Sequence, residues 1–127
     1  MVKKEPYTRI FNENVTATYL WHIVQIMNAV DERLSQRAEL LSGRERLMAV
    51  HGNRFILFYV FQHINLQDLG LAGTVLDPIK ATCVQLADKC LDLVRSKTNE
   101  LFPDSYPGNI FKNQDRQTQL LNAIEAG

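Results

Sequence analysis

The sequence predicts an all-α protein, a helical bundle of three long helices plus a short C-terminal helix. Apolar residues recur at three- and four-residue spacing over long stretches, and no period-two alternation persists. The six Gly and four Pro fall mostly between these runs rather than inside them. With 127 residues, 46% of them hydrophobic, the chain has room for one core and reads as a single helical domain over 1–127.

The first helix is expected from about Thr16 to about Leu41, capped by Asn14 or Thr16, with Tyr19, Leu20, Ile23, Ile26, Met27, Val30 and Leu34 at helical spacing. Ahead of it, Tyr7, Ile10 and Phe11 form a short apolar hook. Ser42-Gly43-Arg44-Glu45 matches the S-x-x-E capping box and starts a second helix. From Leu47 to Ile64 that helix is apolar around nearly its whole circumference, which predicts a hidden central rod. Gly52 inside it costs roughly 1 kcal/mol relative to Ala, so close approach of another backbone is expected there. Leu66 to Thr74 reads as a loop. Asp77-Pro78 opens the third long helix, whose apolar stripe runs through Ile79, Cys83, Leu86, Cys90 and Val94 until Pro103 stops it. Ser105-Tyr106-Pro107-Gly108 predicts a turn with Gly at positive φ, and Leu120, Leu121 and Ile124 mark a last helix from about Gln114 to Glu125.

Fourteen basic residues balance 14 acidic ones, so global charge points to neither nucleic acid nor an anionic membrane. The longest apolar run, Phe55 to Phe61, is a fraction of the roughly 20 residues a transmembrane helix needs. The N-terminus has no apolar stretch of the secretory kind. Cys83 and Cys90 stand seven apart on one helix, about 10 Å along its axis, beyond the roughly 7 Å reach of a disulfide. With no His nearby they do not form a zinc site. They read as two buried reduced thiols, from which a cytoplasmic location is expected, and with no apolar run long enough to span a bilayer no membrane association is expected.

Phosphate loops, dinucleotide glycine patterns, zinc-protease motifs and nucleophile elbows are all absent from the sequence, and no cofactor or metal is expected. Asp31 and Glu32 are adjacent and lie on different sides of a helix. His22 reads as a packed histidine, and His63 as a partner for terminal carbonyls. One constellation stands out. Arg33, Arg37, Arg44, Arg46 and Arg54 face only Glu39 and Glu45 within residues 33–54, a local excess of three positive charges. Arginine suits bidentate contacts to phosphate or carboxylate. On a regular helix Arg44 and His51 lie about 20° apart, with Arg54 about 60° further on. Arg44, Arg46, His51, Asn53 and Arg54 are therefore candidates for contacting a nucleic acid or a protein partner. The bland alternative is that these arginines pair with acids of other segments.

Arg46 and His51 fit an Arg-x4-His spacing that resembles the motif of HEPN ribonucleases, helical bundles that act on the RNA backbone. That resemblance implies His51 moving protons and Arg46 stabilising the charged phosphoryl state. Leu47 departs from the polar residue usual there, and Arg46 and His51 fall about 140° apart on one helix.

Tyr7-Thr8-Arg9-Ile10-Phe11-Asn12 and His51-Gly52-Asn53-Arg54-Phe55-Ile56 are similar to stretches in the C-terminal helical region of AIPR-type proteins, the abortive-infection phage-resistance family. The likeness spans residues 7–64. It implies a piece of a larger phage-defence protein, a non-catalytic accessory domain. Such a domain contacts the rest of its parent protein or a homodimer partner, with the arginine cluster free to meet nucleic acid.

Overall fold

The computed structural model describes residues 13–64 and 76–127, with side chains from Leu20 onward. The expected hook at Tyr7–Phe11, the loop at 66–74, the caps at Asn14 and Thr16 and the Tyr7–Asn12 string fall outside the described side chains. Among the described residues the fold is all-α, with six helices and no strand: α1 Glu13–Glu39, α2 Gly43–His51, α3 Asn53–Gln62, α4 Leu76–Leu101, α5 Pro107–Ile110 and α6 Gln114–Ala126.

Helical spacing of apolar side chains explains the packing. Ile26, Val30, Leu34 and Ala38 stand four residues apart on α1 and form one buried stripe. They join Ile56 and Val60 of α3, Cys83, Ala87, Cys90, Leu91 and Val94 of α4, and Leu120 and Ile124 of α6 in a single core. Arg33 bonds Asp88 and Arg37 bonds Asp92, so the numbering on α1 and α4 climbs together and the two helices run parallel. Asn53 reaches back to Asp31, so the α2–α3 segment runs antiparallel between them.

Several boundaries match the sequence. α4 stops at Leu101, two residues before Pro103, and α6 starts at Gln114 behind an Asn113 cap that accepts from the Arg116 N–H at 3.0 Å. Cys83 and Cys90 are free and buried. His22 is buried, and the His63 ring donates to the Tyr59 carbonyl at 2.7 Å, as its place at a helix C-terminus predicts.

Other expectations are corrected. The second long helix is broken at Gly52 into α2 and α3. A Cβ on Gly52 would lie 2.6 Å from the Met48 carbonyl oxygen of the preceding turn and 3.1 Å from Cζ of Phe111, so the distant segment that approaches there does so with an aromatic ring, not with its backbone. Ser42 is extended and precedes α2, but its hydroxyl makes no cap bond, and the Glu45 carboxylate bonds Arg95 and Asn99 instead of reaching back to the cap. Positive φ falls at Gly43 (56°), and Gly108 lies inside α5, where its missing Cβ admits the Tyr106 ring. The most deeply buried long helix is α4, with six buried residues, whereas α3 has two and turns Phe58 outward, 67% exposed. Apolarity all round its circumference did not make α3 a hidden rod: among the described residues its Phe55, Leu57, Tyr59 and Phe61 are only half-buried and its Phe58 side is exposed.

Candidate functional site

The arginine cluster divides in two. Arg33, Arg37 and Arg44 are held by α4 and the turn after it. Arg33 donates to Asp88 at 2.9 Å, and Arg37 to Asp92 at 2.6 Å and to the Asp88 carbonyl at 3.1 Å. Arg95 of α4 continues the row to Glu45 at 2.7 Å. The Asn99 amide donates to Glu45 at 2.8 Å and accepts from Arg44 at 2.9 Å. Arg44 also donates to the carbonyls of Phe102 (2.7 Å) and Ser105. Those carbonyls lie just past the end of α4, so Arg44 acts as a C-terminal cap supplied by another helix.

The electrostatics follow this row. Burial alone would raise the Glu45 carboxyl, but hydrogen bonds from Arg95 and Asn99 and the charges of Arg95 and Arg44 hold it below its ordinary value. The hydrogen bond and charge of Asp88 raise Arg33.

Arg46 and Arg54 remain exposed, and neither makes an ion pair or hydrogen bond among the described residues. They do not share a site. Arg46 stands outside both grooves described below, whereas Arg54 lines both. His51 packs edge-on against Tyr106, ring centroids 5.8 Å apart, and its Cε1 faces Gly108. α2 is a regular helix from Gly43 to His51, so Arg46 and His51 keep their angular separation of about 140° within one subunit. The Asn53 amide nitrogen donates to Asp31 at 2.9 Å, and its buried carbonyl oxygen accepts nothing.

Two open grooves flank α3. The one toward α6 has a volume of about 520 Å³, with Phe55, Tyr59, Phe111 and Leu121 as apolar walls. Its rim is polar: His51, Arg54, Gln62, Gln114, Gln117 and Thr118. The Phe55 and Phe111 rings meet edge-to-face at 5.9 Å and give the wall a fixed shape. The groove toward α1, about 360 Å³, is lined by Ile23, Met27, Leu57 and Phe61. Arg54 and Phe58 stand on the ridge between them and line both. Met27 lines the smaller groove, and back along α1 Val24, Leu20 and the neighbouring Trp21 (61%) are exposed as well.

Sequence reading brought forward Arg54 and His51, which this face uses. It missed Met27, Leu57 and Phe58, which it assigned to helix faces turned inward, and did not single out Trp21. The available signal was the lack of any polar side on residues 55–61, which here marks a surface left uncovered.

Among the described residues no group of three or more His, Cys, Asp or Glu side chains is placed to hold a metal ion, and no helix is long and apolar enough to cross a membrane. Compared with protein-family models, with curated proteins and with solved structures, the chain matches none.

Proposed function

We propose that the chain is a non-catalytic contact domain that docks onto a protein partner through the apolar face of α1 and α3. One observation carries this reading: Leu20, Trp21, Val24, Met27 and Phe58 are all large, apolar and exposed, and Met27 and Phe58 line one groove. At ordinary side-chain areas their exposed parts total on the order of 500 Å². Patches of that size are often functional, and scattered single apolar residues are the more usual pattern. The likeness of residues 7–64 to AIPR-type proteins supplies the setting, an accessory module of a phage-defence protein contacting its parent chain or a second copy.

Stability measurements separate a contact face from a core. Trp21→Ser and Phe58→Ser are each expected to change unfolding free energy by less than about 0.5 kcal/mol, as at ordinary surface sites. A loss above about 2 kcal/mol for both would make these side chains part of the fold and end the proposal. A ribonuclease assay gives a second check. Metal-independent RNA cleavage abolished by His51→Ala would replace the contact reading with the nuclease one.

A further inference from the structure

Resting on the contact reading, we infer that the groove between α3 and α6 receives an acidic amphipathic helix from a protein partner, with Arg54 pairing its carboxylate and Phe58 gripping its apolar side. The groove has the form such a ligand needs. Its walls are apolar and aromatic, its rim polar, and the α3 wall is ten residues, about 15 Å, long. That length accommodates about three turns of a docked helix, enough for anchors at i, i+3 or i+4, and i+7.

Charge selects the occupant. Among the described residues Arg54 is the only Lys, Arg, Asp or Glu side chain lining either groove, and it has no counter-ion there. Glu125 of α6 acts on Tyr59 through space but does not line the groove. A ligand that brings its own carboxylate therefore gains a pair the chain lacks, and complementarity of this kind sets partner choice and register. The same charge disfavours the nearer alternatives. Residues 1–12 contain Lys3, Lys4 and Arg9 against Glu5, three positive to one negative, and would bring more positive charge to Arg54. A second copy docked about a two-fold axis through the α3 ridge would set Arg54 against Arg54, since an isologous interface opposes identical patches.

The probe is a pair of synthetic 14-residue amphipathic helical peptides with identical leucine anchors, one flanked by Glu and the other by Lys, followed by fluorescence anisotropy against the full chain. The Glu peptide is expected to bind at least tenfold more tightly than the Lys peptide. Arg54→Glu should reverse that order, and Phe58→Ser should weaken the Glu peptide about tenfold. Equal binding of the two peptides, no binding of the Glu peptide at about 1 mM, or indifference to Arg54→Glu overturns the inference. So does a wild-type dimer in sedimentation that Phe58→Ser dissolves, which would make a second copy the occupant. Glu-peptide binding that requires Tyr7, Ile10 and Phe11 to be replaced by Ser would identify the chain's own N-terminus instead, and overturns it too. If the peptides fail while Trp21→Ser and Phe58→Ser leave stability intact, the contact face stands and only the acidic helix falls.

Discussion

Replacing Arg44 by Met and Arg46 by Met is the sharpest comparison the structure offers. The two residues stand two positions apart at the start of the same helix, with the same charge and the same loss on substitution. Their surroundings differ completely. Arg44 donates to Asn99, to the Phe102 carbonyl and to the Ser105 carbonyl, and its side chain is partly buried. Arg46 is exposed and donates to nothing among the described residues. Removing a charged donor from partly buried acceptors costs about 1.5–3 kcal/mol. Here the Asn99 amide oxygen and the Ser105 carbonyl lose the donor, the Phe102 carbonyl keeps only the Ser105 N–H at 3.2 Å, and water reaches part of the vacated space. The expected loss is therefore about 2–3 kcal/mol for Arg44→Met, against less than about 0.5 kcal/mol for Arg46→Met. With a urea m-value of about 2 kcal/mol/M for a domain of this size, the midpoint of Arg44→Met falls by about 1–1.5 M. Helical circular dichroism against urea reads both directly. Equal midpoints for the two variants would refute the assignment of Arg44 as a cap for α4.

Gly52→Ala reverses the usual helix rule. Propensity favours Ala by about 1 kcal/mol, but the new methyl meets the Met48 carbonyl and the Phe111 ring, and overpacking costs about 1–3 kcal/mol. A net loss of up to about 2 kcal/mol is expected, with the melting temperature falling by up to roughly 8 °C; a higher melting temperature would disprove the tight fit. Glu45 carries a pH dependence. Its folded carboxyl lies below the ordinary value of 4.5, so its contribution is complete above that pH and is lost as pH falls through the folded value. Glu45→Gln should therefore flatten the drop in stability between about pH 5 and 3, and a pair of parallel wild-type and variant curves would show that the shift is absent. Burial pushes the Cys90 thiol up to about 12 and raises Cys83 as well. Neither should react with a disulfide reagent at about pH 8 in the folded protein, and rapid stoichiometric modification without unfolding would contradict the buried placement.

Helix content, the stop before Pro103, the start at Gln114 and the buried faces of α1 and α4 were legible because each rests on spacing within a single segment. What escaped the sequence depends on partners far along the chain. The excess of arginine over residues 33–54 is a local count, and its acids stand about 55 residues later, at Asp88 and Asp92. Glu45 fits a capping box by its position, yet a stronger pair of partners on α4 takes it. Residues 55–61 show no polar side, and periodicity carries no information on whether a neighbour exists to cover each one. The face around Phe58 was hidden from the sequence for that reason.

Arg44 ties two distant events together. A helix end capped only by its own neighbours frays independently of the rest of the molecule. The end of α4 has such a local bond, from the Ser105 N–H to the Phe102 carbonyl, but adds to it a guanidinium carried by α2. Its loosening is thereby coupled to the docking of α2, so amide hydrogen exchange at Thr98–Leu101 should respond to the undocking of a helix more than fifty residues upstream. In this protein the tail of one helix is a gauge of the seating of another.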